Sequence, residues 1–186
     1  TNANKYSDGR DIEHIYIQGK EIDMLKVESM KIEFTKGDTE FLYVFGFNPD
    51  FATKNFVNFY KGLPIIESQL KLGFIIDSQS FGIDNSRQRI ITEKEKVENQ
   101  LTEAFTILKK QLLELKDTNR ELFTYIYKSL AYSSLYNIPD SASYVKGAFR
   151  TVFVPFFKEY YLSLDGNFYK SEDVINPAEE DEDYRL

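Results

Sequence analysis

Residues 92–135 read TEKEKVENQLTEAFTILKKQLLELKDTNRELFTYIYKSLAYSSL, and their reading decides the fold class. The stretch holds no Gly and no Pro. Val97, Leu101, Ala104, Phe105, Leu108, Leu112 and Leu115 recur at the three- and four-residue steps that mark one face of an α-helix. Thr92-Glu93-Lys94-Glu95 fits a capping box, in which a hydroxyl and a carboxylate satisfy each other's backbone donors at a helix start. Thr118-Asn119-Arg120-Glu121 repeats that pattern ahead of Leu122, Ile126, Leu130 and Leu135. With Asp117 beside it, the second box predicts two helices; one long bent helix is the alternative. Polar Gln111 and the short length argue against a free coiled coil, so the stripe is expected to pack within the chain, with packing on another chain as the alternative.

Upstream the period is two. Ile15 and Ile17 alternate with polar residues before the turn Gln18-Gly19-Lys20. Ile22, Met24 and Val27 alternate imperfectly, and Met30, Ile32 and Phe34 cleanly. After the hairpin signal Thr35-Lys36-Gly37-Asp38 comes a run with Phe41, Tyr43, Phe45 and Phe47 on one face and Leu42 and Val44 on the other. A strand apolar on both faces belongs at the centre of a sheet. These runs predict an antiparallel meander over 12–47. Asn48-Pro49 reads as a helix start. Ala52, Phe56, Phe59, Tyr60 and Leu63 continue at helical spacing to a stop at Gly62. Leu70, Leu72, Phe74 and Ile76 predict a further strand over 68–77.

Downstream of 135, Asn137-Ile138-Pro139-Asp140 reads as a loop. Val145, Phe149, Val152, Phe153, Phe156 and Tyr160 form a last helical stripe, which Pro155 should kink or break. Asp165-Gly166-Asn167 is a turn. The expected class is therefore α+β: a meander with a short helix and a further strand, then a helical half packed on the sheet. The expected organisation is a flexible start over 1–11, a single domain over 12–170 (12–77 mostly β, 92–163 mostly α) and an acidic disordered tail over 171–186.

Charge supports that division. The 186 residues carry a formal −7. Glu172, Asp173, Glu179, Glu180, Asp181, Glu182 and Asp183 against Arg185 put −6 of it in 171–186. The rest is nearly neutral, so nothing forces the basic face that duplex binding needs, and a nucleic-acid partner is not expected. No run approaches the roughly 20 apolar residues of a membrane span, and no N-terminal stretch has a signal-peptide layout. The expected setting is the cytoplasm or a virion.

Few chemistries survive inspection. With no Cys there is no thiolate nucleophile and no Cys-based zinc site, and with one His there is no multi-His metal site. His14, beside Asp11 and Glu13, alternates with Ile15 and Ile17 and reads as a solvent-facing strand residue. Segment 165–176 places Asp165, Asn167, Ser171 and Asp173 like an EF-hand start. Lys170 stands where that loop needs Gly, however, and Asn176 where it needs Glu. Asp77 and Asp84 are two carboxylates near one loop, a common accident. No cofactor, metal or catalytic residue is expected.

The one segment that draws a binding assignment is the polar stretch 78–91. There Ser78, Ser80, Ser86, Arg87 and Arg89 could gather an anion ahead of the helix that Thr92 opens. Sixteen Phe and thirteen Tyr make the chain 16% aromatic, a composition at home in cores and at interfaces. The leading expectation is a non-catalytic structural or adaptor subunit of a larger virion or cellular assembly, partnered by other protein subunits or by copies of itself. The alternatives are a small enzyme acting on an anionic substrate, and a ligand or nucleic-acid binding module using aromatic faces.

Overall fold

The computed structural model describes residues 4–6, 13–17, 25–29, 32–36, 40–53, 56–65, 70–86, 88–133, 138, 142–163 and 167–173, with backbone alone for the strands before Leu42 and for Phe45. The class is α+β: a small mixed sheet with three helices packed on it in the C-terminal half. The strands are β1 (Asn4–Tyr6), β2 (Glu13–Ile17), β3 (Leu25–Ser29), β4 (Ile32–Lys36), β5 (Glu40–Phe45), β6 (Phe59–Lys61), β7 (Leu63–Pro64), β8 (Ile75–Ser78), β9 (Tyr160–Leu162) and β10 (Phe168–Lys170). The helices are α1 (Lys94–Thr118), α2 (Arg120–Ala131) and α3 (Ser143–Glu159).

Six strands form the main sheet in the order β1-β4-β5-β8-β6-β7. The doubly apolar strand β5 is central, flanked by β4 and β8, both antiparallel to it. The expected meander is interrupted. β3 pairs with β2 in a separate two-stranded ribbon, while β1 takes the place beside β4. Asn4–Tyr6, in the segment expected to be a loose start, therefore forms an edge strand. Alternation identifies strands but not their neighbours, because a pleat looks the same whichever strand it pairs with.

The short helix expected from Asn48 stops after one turn. Asn48 does cap: its Oδ1 accepts from Asp50 N at 2.8 Å, ahead of a single 3-10 turn over Pro49–Ala52. Phe59, Tyr60 and Leu63, read as helical, lie instead in β6 and β7, and β6 runs parallel to β8. The reason is Asn58, which is fully buried. Its Nδ2 donates to the carbonyls of Leu72 and Phe74 at 2.9 and 2.8 Å, and its Oδ1 accepts from Leu70 N at 2.9 Å. One side chain thus pins the segment to the approach of β8, a long-range satisfaction that local periodicity cannot show. Gly62, expected as a helix stop, takes φ +66° and turns β6 into β7. Among the described residues of the strand expected over 68–77, those that pair begin at Ile75, although Leu70, Leu72, Phe74 and Ile76 are all buried.

The helical half follows its stripe. Val97, Leu101, Ala104, Phe105, Leu108, Leu112 and Leu115 are all buried, and so are polar Gln100 and Gln111. α1 and α2 are two helices separated by Asn119 alone, whose side chain caps α2 by accepting from Leu122 N at 3.1 Å. Neither expected capping box forms. Thr118 Oγ1 donates to Glu114 O, and Thr92 Oγ1 accepts from Gly82 N at 2.6 Å, which ties the loop before α1 to the helix start. α3 continues through Pro155 to Glu159. Pro155 and Thr151 are both exposed, so the Thr151 carbonyl that loses its donor can turn to water and the helix is not broken.

Aromatic rings connect the sheet to the far end of the helices. Phe74 stands edge-on to Phe105 at 5.7 Å and stacks with Phe149 at 6.2 Å. From Phe149 the contacts continue through Phe153 and Phe156 to Tyr127. Each such pair adds about 0.5–1.5 kcal/mol beyond burial. Close approach has its own requirement at Gly73. A Cβ there would lie 1.9 Å from the Ser129 carbonyl oxygen of α2, so only glycine lets the segment before β8 rest on that helix.

Candidate functional site

The loop 78–91 is folded on itself. Ser78 is fully buried, its Oγ lies 2.7 Å from Ser80 Oγ, and Gln100 of α1 reaches Ser80 at 3.5 Å. At the far end Asp84 organises the tip. Its Oδ1 accepts from Gln88 N at 2.7 Å and Arg89 N at 3.3 Å, and its Oδ2 accepts from Ser86 Oγ at 2.9 Å. Desolvation would push the Asp84 carboxyl up. The hydrogen bonds from Gln88, Ser86 and Arg89, with the Arg89 charge, outweigh that and hold it below the usual carboxylate range. Asp84 N donates to Arg89 O, Ile83 bridges Ile90, and Ile91 N donates to Gly82 O.

The residues expected to gather an anion thus fall into two groups: Ser78 and Ser80 at the base, Ser86 and Arg89 at the exposed tip. Arg87 lies outside the described residues. Asp77 and Asp84 do separate jobs, since Asp77 Oδ1 accepts from Gly62 N at 3.0 Å across the sheet. His14 sits in β2 opposite Glu28. Of the EF-hand-like segment, Asn167 immediately precedes β10, Ser171 and Asp173 stand in the 3-10 turn Ser171–Asp173, and Asp165 lies outside the described residues. Among the described residues no group of three or more His, Asp or Glu is placed to hold a metal, and no helix is long and apolar enough to cross a membrane.

A different surface stands out at the C-terminal end. β9 and β10 form an antiparallel hairpin, with Tyr169 directly opposite Tyr161 and Ser163 N donating to Asn167 O at 2.8 Å. Its two faces differ. Phe168 points inward against Phe123 at 4.2 Å and Tyr127 at 5.0 Å. Tyr127 Oη donates to the Tyr160 carbonyl at 2.9 Å and so fixes β9 to α2. Tyr161 and Tyr169 point outward, 46% and 39% exposed. Beside them an open cleft of about 460 Å³ is lined by Lys116, Asp117, Arg120, Asn167, Phe168 and Tyr169. Arg120 Nη2 donates to Asn167 Oδ1, and Lys116 Nζ sits 5.8 Å over the Tyr160 ring.

Electrostatics link these groups. Lys116 pairs loosely with Asp117 at 3.8 Å and Lys170 with Glu172 at 3.5 Å. Glu172 raises Lys170 above the usual lysine range by charge and hydrogen bond. Burial, then the nearby Tyr161, pushes the Tyr127 hydroxyl up. None of Lys116, Arg120, Tyr161 and Tyr169 was singled out from the sequence as a binding residue. The signal available was the symmetry of Tyr-Tyr-Leu and Phe-Tyr-Lys about Asp165-Gly166-Asn167, which places one tyrosine on each arm on the same face of a hairpin. Comparison with known protein families, with curated proteins and with solved structures finds no match.

Proposed function

We propose that the chain is a non-catalytic structural or adaptor subunit of a larger assembly, viral or cellular, and that it meets a protein partner through the outer face of the β9–β10 hairpin. The observation that carries this reading is the exposed pair Tyr161 and Tyr169 on a hairpin whose inner face is anchored by Phe168 and Tyr127. Amphipathic rings held on a fixed backbone lose little conformational freedom on binding, which is why Tyr and Arg concentrate in the energetic centres of interfaces. Arg120 and Lys116 border that pair and supply a polar rim. The loop 78–91 supports the same choice by contrast, because its serines and Asp84 already bond to one another.

The test is affinity capture from the native source with the parent and with a Tyr161→Ala/Tyr169→Ala variant, quantified side by side, with light scattering on each. Removing two central tyrosines should weaken a true interface by about 30-fold or more. The variant should lose the captured protein, or the self-association, while melting like the parent. Equal capture by both would contradict the reading.

The same rings beside cations also suit stacking on single-stranded nucleic acid. Asp117 lines the same cleft and Glu172 pairs with neighbouring Lys170, and both acids count against it. Titration with an unstructured oligonucleotide at two salt concentrations separates the two readings, because phosphate contacts weaken steeply with salt. A small enzyme acting on an anionic substrate would need Ser78, Ser80, Ser86 and Arg89 to converge, and they stand at opposite ends of one loop.

A further inference from the structure

The main sheet has a second face. Leu42, Val44, Phe59 and Ile76 turn toward the helices and join their core. Tyr43, Asp77 and Tyr60 alternate with them and so stand on the opposite side, each half-buried. Register brings these three into one row. Asp77 of β8 lies opposite Tyr43 of β5 on one flank and opposite Tyr60 of β6 on the other. Neighbouring strands are about 4.8 Å apart, so the two tyrosines are set roughly 10 Å apart with the carboxylate between them. By register the row continues to Glu33 of β4 beyond Tyr43, with Lys5 of β1 at that edge, and to Pro64 of β7 beyond Tyr60.

Asp77 is positioned but not neutralised. Its Oδ1 accepts from Gly62 N at 3.0 Å, and among the described residues no lysine or arginine pairs with it. Lys61, adjacent to Tyr60 in β6, donates to Phe81 O at 2.7 Å. Burial, then the Asp77 charge, raises the Tyr60 hydroxyl above its ordinary 10.0, so the ring is neutral near pH 7 and the field of the carboxylate reaches it. A carboxylate between two phenol rings favours a cation, which the charge attracts directly and the ring faces attract through their quadrupoles. Of the two basic side chains arginine fits better. Its planar guanidinium can donate to Asp77 Oδ2 while its flat face stacks on a tyrosine, whereas a lysine ammonium is a compact charge that holds its water strongly. We propose that the row Tyr43, Asp77 and Tyr60 is a docking site for an arginine side chain of a partner protein. The proposal does not rest on the reading of the β9–β10 hairpin.

The experiment uses the full chain, isotope-labelled, and reads the resonances of Tyr43, Tyr60 and Asp77. The probes are Nα-acetyl-arginine amide and Nα-acetyl-lysine amide. The arginine probe should shift all three residues saturably and bind about threefold more tightly than the lysine probe. Asp77→Asn keeps an oxygen for Gly62 N and should weaken arginine binding about fivefold at low salt, with a smaller loss at high salt. Tyr60→Phe keeps the ring and should bind like the parent, while Tyr60→Leu should lose about threefold. No saturable shift at these residues, equal binding of the two probes, or an Asp77→Asn chain that binds arginine like the parent would overturn the proposal. Should Tyr60→Leu fail to fold, Asp77→Asn and the lysine probe decide the matter without it.

Discussion

The loop 78–91 and the β9–β10 hairpin are both turn-centred peripheral segments, and they use their side chains in opposite ways. In the loop, serines and a carboxylate bond to the loop's own backbone and to each other, so a polar sequence leaves little on offer. In the hairpin, backbone pairing, Phe168 and the Tyr127–Tyr160 bond hold the shape, and the two tyrosines remain outside it. A side chain is available for binding when the local fold does not already consume it. Composition alone cannot report that.

The largest test removes what both segments stand on. Phe105 is fully buried among Phe74, Phe149 and Phe153. Phe105→Ala should cost about 3–5 kcal/mol in denaturant unfolding and loosen loop and hairpin together. Loss at one segment alone would mean that they are not built on a shared core.

Alkali should act next, through buried tyrosine hydroxyls at the start of α3 and in α2. Burial pushes the Tyr144 hydroxyl from its ordinary 10.0 up to about 12, and Tyr127 is raised as well. The folded state disfavours the phenolate, so this contribution is complete below pH 10 and is lost as pH rises toward 12. Two units correspond to about 2.7 kcal/mol for Tyr144. Denaturant midpoints measured from pH 9 to 12 should fall, and Tyr144→Phe should flatten that fall. An unchanged slope in the variant would place the alkaline sensitivity elsewhere.

Tyr127→Phe is smaller and more local. It removes the bond to the Tyr160 carbonyl and leaves that oxygen without its buried donor, at a cost of about 1–3 kcal/mol. Hydrogen exchange in β9 and β10 should rise, with β5 and β8 unaffected. Equal protection throughout would show the hairpin held by its rings alone.

Acid should act on the loop, and least of all. Asp84 is held below its ordinary 3.8, so what its ionised form contributes is present above that pH and is lost as pH falls through the lowered value. At a pH well below 3.8, or in Asp84→Ala at neutral pH, the Gln88 and Arg89 amides should exchange faster with little change in the global melt. A cooperative loss of structure would make Asp84 a keystone of the domain instead of its loop.

Sequence pattern revealed those parts whose forces are local. The stripe from Val97 to Leu115 is buried throughout, and the break at Asn119 was marked by its flanking residues. Three things escaped it. Asn58 overrides a helical spacing at 52, 56, 59, 60 and 63 through bonds to Leu70, Leu72 and Phe74 that local reading does not connect. Thr92 looks like a cap but answers Gly82. β9 and β10 are three residues each, too short for a period to register. Of the expected site, Ser78 and Ser80 bond to each other at the loop base, while the tyrosines that face out were legible only as composition. Phe45, on the doubly apolar strand, lies outside the residues whose side chains are described; Phe105, on the helical stripe, is buried.

The most direct measurement is tyrosine nitration of the free chain and of the chain bound in its native complex, read site by site. Tyr132, 62% exposed at the end of α2, serves as the internal reference. The account predicts that Tyr161 and Tyr169 react in the free chain and are protected in the complex, with Tyr132 unchanged. Equal reactivity of Tyr161 and Tyr169 in the free and bound chains would contradict it.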